Sequence, residues 1–138
     1  MPIIYSKAAV GFTPPRHERL NPVMKPDAKE TFDFALETEA DGKTHLGKNP
    51  MPASLPGFAE VAKQYIEQNV RVARKVLATI VAGLELKRDV FDAYFAAPLA
   101  IQRLIRYPRQ NFTEKDTIGA GAHVDFGAIT LLKQDSDG

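Results

Sequence analysis

His123 and Asp125 stand two residues apart in the stretch GAHVDFGAITLLKQD, which runs from Gly121 to Asp135. Side chains at i and i+2 of a strand point to the same face, their Cα atoms about 6.5–7 Å apart. From that spacing an imidazole and a carboxylate can converge on one divalent ion at about 2.0–2.2 Å. A nitrogen and an oxygen donor together suit a first-row metal of intermediate hardness, and sets of two histidines and one carboxylate with open positions suit non-haem Fe(II). The spacing by itself leaves a second reading open, an edge-strand pair that is hydrogen-bonded to itself or simply solvated. Gly121 and Gly127, on either side, permit a bulge or a close backbone approach where a strand enters a site.

The elements that must position this pair lie upstream. From Phe58 to about Leu84, apolar residues fall at Phe58, Val61, Tyr65, Ile66, Val70, Ala73, Leu77, Ile80, Val81 and Leu84. That spacing predicts one helix of some seven turns, roughly 40 Å long, between Gly57 and Gly83. Its apolar face is expected on a sheet that includes residues 100–107 and 128–133. RDVFDAYFAAP (88–98) reads as a short helix stopped by Pro98, and LAIQRLIRYP and AHVDFGAITLLKQD read as strands. Residues 1–56 hold eight of the ten prolines and are expected to be irregular, because proline removes a donor and restricts its predecessor. Within them, DAKETFDFALETEA is expected to form a turn or two of helix, with Asp27 as cap and Phe32 and Leu36 at i, i+4.

Composition narrows the function. A formal charge of +1, spread along 138 residues, gives no nucleic-acid or anionic-membrane footprint. The absence of cysteine excludes disulfides, thiolate catalysis and zinc-thiolate sites. No apolar run reaches the about 18 residues of a membrane span, and the N-terminus has no signal-peptide pattern. The expectation is a soluble, cytoplasmic protein that binds neither nucleic acid nor membrane.

HVDFGAITLLKQD resembles the signature of the iron- and 2-oxoglutarate-dependent dioxygenases of the isopenicillin N synthase-like family. His123, Asp125, Gly127, Thr130, Leu131, Leu132, Gln134 and Asp135 all match a pattern close to His-x-Asp-x-Gly-x-x-Thr-Leu-Leu-x-Gln-Asp. LIRYPRQ is similar to that family's strand ending in Tyr-Pro-Pro, and the proline-rich N-terminal stretch and the long helix fit as well. The resemblance implies that His123 and Asp125 are two of three iron ligands. It also implies that Tyr107 binds the 2-oxoglutarate carboxylate or lines its pocket; a packed strand-end aromatic is the other reading of that residue. Ile105 departs from the pattern, standing where the family often has asparagine. Arg103 and Arg106 could reach an anionic co-substrate or equally point to solvent, and neither is assigned. Tyr107 and His123 are expected to face one cavity.

The expected fold is therefore α+β, a long helix packed on part of a double-stranded β-helix (jelly roll) incomplete at its C-terminal side. Residues 1–56 form the N-terminal segment, and 57–138 the helices and first strands of the roll. The resemblance places a second histidine ligand and an Arg-x-Ser clamp beyond Gly138, and assigns no ligand role to His17 or His45. The implied activity uses Fe(II), 2-oxoglutarate and O2 to oxidise a small organic substrate by hydroxylation, desaturation or ring closure. The alternative is a truncated, non-catalytic remnant or interaction module that self-associates through open sheet edges.

Overall fold

In the sequence ETFDFAL, Phe32, Phe34 and Leu36 recur at every second position, the period of a strand with one apolar face. The computed structural model, which describes residues 10–18, 25–38, 43–44, 46–109, 119–125 and 127–136, forms a strand there. This strand, β2 (Glu30–Ala35), is the middle of a three-stranded antiparallel sheet, between β1 (Gly11–Thr13) and β5 (Ile101–Arg106). Asp33 pairs with Gly11 on one side and with Arg103 on the other. A small second ladder joins β3 (Lys43–Thr44) to β4 (Gly47–Lys48).

Past the end of β2 the ladder is carried on by other groups. Leu36 N–H donates to Ala100 O at 2.9 Å. The buried Asn49 amide accepts from Ala35 N–H and donates to Ala35 O, both at 2.9 Å. Both polar groups of that backbone are thereby satisfied where no strand among the described residues reaches them.

Helix α1 (Phe58–Gly83) is continuous over 26 residues, as the periodicity predicts. Gly57 enters it at φ 81°, a left-handed conformation that glycine adopts without steric cost. At the other end Glu85 takes the left-handed turn (φ 55°), and Leu86 N–H closes back on Val81 O at 3.1 Å.

The core lies between α1 and one face of β2. Phe34, Ala62 and Ile66 are its buried centre, with Phe32, Leu36, Met51, Phe58 and Ala100 packed around them. Phe58 meets Phe34 edge-on at 6.4 Å and Phe32 at 5.9 Å, geometry that aromatic quadrupoles favour. Asn69 Nδ2 donates to Gln102 Oε1 at 2.9 Å, tying α1 to β5. The stripe that meets the sheet runs through Phe58, Ala62 and Ile66. Val61, at 66 % exposure, and Tyr65 lie outside it, contrary to their expected place on the packed face. Apolar positions on α1 span more than one face; Ala62 and Ile66 are buried against β2, and Val81 is buried near the other end of the helix.

The opposite face of β2 is charged. Lys29 Nζ contacts Glu18 and the buried Asp27 at 2.9 Å each. Arg103 grips Asp33 through two 2.8 Å hydrogen bonds and Glu18 through a third at 3.0 Å. Burial pushes the Asp33 carboxyl up, more than Arg103 pulls it down. Burial would also raise Glu18, but the bonds from Lys29 and Arg103 together hold it below the ordinary value. Thus Arg103 is committed to the fold and Arg106 bonds Glu30 at 2.7 Å.

Three expected elements differ. The turn or two of helix expected from Asp27 is instead loop and β2, so that β1 and β2 both lie within the stretch expected to be irregular. Residues 88–95 make successive turns (Val90 N–H to Lys87 O, Asp92 N–H to Asp89 O) but no α-helix, although the Phe91–Phe95 rings still stack edge-on at 6.2 Å. A segment this short gains few helical bonds against the cost of nucleation. Finally, residues 128–133 form no ladder, because no described segment pairs with them. The architecture is α+β, one long helix on one face of a small antiparallel sheet. No helix among the described residues is long and apolar enough to cross a membrane.

Candidate metal centre

The structure brings His123 and Asp125 together, with Nε2 and Oδ1 3.3 Å apart. Each outer atom is tied back to the protein. His123 Nδ1 lies 2.8 Å from Gly121 O. A carbonyl oxygen can only accept, so Nδ1 carries the hydrogen of this bond and Nε2 is the ring nitrogen turned toward Asp125. Thr130 Oγ1 donates to Asp125 Oδ2 at 2.8 Å, which leaves Oδ1 as the oxygen facing the imidazole.

Two acceptor atoms turned toward each other at this distance repel unless a positive charge sits between them. That charge is either a proton on Nε2 or a cation. A separation of 3.3 Å is also what two donors have when they stand side by side on an ion about 2.0–2.2 Å from each. The pair therefore fits a divalent metal, with the tautomer and carboxylate orientation set in advance. Both side chains are open to solvent, 40 % and 54 % exposed, so water or small ligands can reach the remaining positions.

No third ligand joins them: among the described residues no cluster of three or more histidine, cysteine or acidic side chains could hold a metal. His17 is exposed, with Nδ1 3.2 Å from Pro15 O; His45 lies outside the described residues. Gly127 has room for a Cβ, the nearest atom being 3.8 Å away, and no left-handed φ. Its freedom is not what shapes the segment.

Tyr107 directly follows β5 and is 55 % exposed. Its ring rests on Gly119, where an added Cβ would stand 2.8 Å from Tyr107 Cε1. Only glycine allows that approach, and it brings the tyrosine against the stretch leading to His123. A cleft of about 450 Å³ beside α1, lined by Leu36, Arg71, Arg74 and Pro98 among others, contains neither Tyr107 nor the His–Asp pair.

Two supports of this site escape sequence reasoning. Thr130 is legible only as part of a pattern, not as the group that turns the Asp125 carboxylate. Asp27 reads as a helix cap. Its carboxylate does accept a backbone N–H, but from Gly121 at 3.0 Å, on the far side of the chain.

No family model matches the chain. Related proteins do. It is 33 % identical over 131 residues to the 2-oxoglutarate-Fe(II) type oxidoreductase hxnY of Emericella nidulans, covering 87 % of this chain and 38 % of that protein. It is 34 % identical over 121 residues to an Arabidopsis thaliana homoarginine-6-hydroxylase, covering 81 % and 36 %. The 2-oxoglutarate-dependent dioxygenase caaD of Aspergillus niger is 30 % identical, covering 80 % and 35 %. The chain thus spans little more than a third of the length of these relatives. In structure it follows a full-length Neurospora crassa protein crystallised in complex with alpha-KG, with a TM-score of 0.68 over 86 % of this chain and 40 % of that one, at 24 % identity.

Proposed function

We propose that this chain, whose relatives over most of its length are 2-oxoglutarate- and Fe(II)-dependent dioxygenases, is the portion of such an enzyme that carries two of its iron ligands and part of its jelly roll. The observation that carries this reading is the side-by-side placement of His123 Nε2 and Asp125 Oδ1, 3.3 Å apart with their outer atoms already bonded.

Fe(II) held by the pair, together with 2-oxoglutarate, supplies activation of O2 for oxidation of a small organic substrate. The chain's own part is positional. His123 offers Nε2 because Gly121 O holds its Nδ1–H. Asp125 offers Oδ1 because Thr130 occupies Oδ2. Tyr107, placed against the same stretch by Gly119, is the residue to which we assign the carboxylate of 2-oxoglutarate. Prearrangement of this kind removes the need to order ligands when the ion arrives.

Anaerobic Fe(II) dialysis of the 138-residue chain and of its Asp125→Ala variant tests the assignment. The chain should bind Fe(II) weakly through two ligands, and the variant at least about 10–100-fold more weakly, by analogy with the loss of supporting partners. Succinate release from 2-oxoglutarate by the 138 residues alone should be negligible. Equal Fe(II) binding by Asp125→Ala would overturn the site.

A further inference from the structure

The charged network on the second face of the sheet ends at the metal centre. Asp27, 2 % exposed, divides its carboxylate between two partners. Oδ2 meets Lys29 Nζ at 2.9 Å, and Oδ1 accepts the N–H of Gly121 at 3.0 Å. Gly121 is itself buried, and its other polar group, the carbonyl, is the one that holds His123 Nδ1 at 2.8 Å. One peptide-bonded residue thus donates to a buried carboxylate behind it and accepts from the imidazole in front. Lys29 cannot swing away, because Glu18 holds it at 2.9 Å and Arg103 holds Glu18 at 3.0 Å.

We propose that Asp27, fixed by Lys29, is a positioning residue for the metal centre: it sets the Gly121 backbone so that its carbonyl orients the His123 ring and keeps the hydrogen on Nδ1. A hydrogen bond from a ring nitrogen to a carbonyl is what selects the tautomer that leaves the other nitrogen free for a metal. In His123 that selection depends on where the Gly121 carbonyl points. The Gly121 N–H is anchored to a buried carboxylate whose other oxygen lies against the Lys29 ammonium. The consequence for metal affinity rests on the reading of His123 and Asp125 as ligands; the consequence for the tautomer does not.

Two measurements on the full 138-residue chain test this. Long-range proton–nitrogen NMR at mildly alkaline pH, with no metal present, reports the His123 tautomer. The wild-type chain should hold the hydrogen on Nδ1, and Asp27→Ala should shift it to a mixture with Nε2–H. Co(II) titration should show Asp27→Ala binding about 10–100-fold more weakly, the usual effect of losing such support. Asp27→Asn keeps an oxygen for Gly121 and should stay close to wild type in tautomer. Should Asp27→Ala fail to fold because Lys29 loses a partner, Asp27→Ala/Lys29→Met removes both buried charges together and is expected to show the same loss. A folded variant lacking Asp27 that retains the wild-type tautomer and Co(II) affinity would overturn the proposal and leave Asp27 a purely structural residue. If Asp125→Ala instead binds Co(II) like wild type, the ligand assignment fails, and the tautomer shift still decides the role of Asp27.

Discussion

At the scale of single residues, Glu18 joins Lys29 to Arg103, and its carboxyl is held below the ordinary value of 4.5 despite partial burial. A group whose folded pKa is depressed contributes stability that is complete above its unfolded value and lost as pH falls through the folded one. Asp33 works in the opposite sense: burial raises it above 3.8, so its protonation favours the folded chain as pH falls toward that value. The two partly cancel in the wild-type profile, so the difference between variants is the informative quantity. Glu18→Gln should be least stable relative to wild type near neutral pH, the gap closing below about 4.5. Thermal unfolding of both proteins across that range checks it, and a gap that stays constant into acid would contradict it. The juxtaposition of His123 and Asp125 is legible in the sequence at this scale because it is local: two residues, one spacing, a specific run around them. The supports are not. Nothing near Asp27 in the sequence points to Gly121, and a buried aspartate beside a lysine reads equally as a cap or a surface pair.

At the scale of elements, β2 carries two incompatible faces on one strand. Among the described residues Phe34, at 1 % exposure, is the largest fully buried apolar side chain, and it meets both Phe32 and Phe58. Phe34→Ala should cost about 3–5 kcal/mol, read from the urea midpoint, enough to remove much of the stability of a domain this size. Val61→Ala, on the exposed side of α1, should cost less than about 0.5 kcal/mol. The helix itself is legible from its period over seven turns and from Gly57. Strand β2 is not, because Phe32 and Leu36 satisfy i, i+4 as well as the alternation through Phe34, and a seven-residue window does not separate the two periods. The stretch 128–133 misleads for a different reason. Its composition favours a strand, but a strand is a relation between two segments, and among the described residues it has no partner.

At the scale of the whole molecule, the α+β class follows from one long period and a change to β-branched and aromatic runs. The order of strands does not, since β1 and β2 come from the proline-rich first third, where no periodic signal is strong. That order has kinetic content. The Asp27–Gly121 bond joins residues 94 apart, and Arg103–Glu18 joins residues 85 apart. Contacts at such separations form after local ones, because the loop must close before they contribute. In stopped-flow refolding, far-ultraviolet helicity of α1 should therefore recover before Co(II) capture by His123 and Asp125. Simultaneous recovery of both signals would mean that the pair assembles without its distant anchor. Biosynthesis stretches the same interval further. At about 5–20 residues per second, the ribosome needs roughly 5–20 s to travel from Asp27 to Gly121. For most of that time the nascent chain holds Asp27, Lys29 and Glu18 without Arg103, and for all of it without Gly121. The setting of the Gly121 carbonyl behind His123 is on this account an event late in the synthesis of this stretch, about ninety residues after its anchor is made.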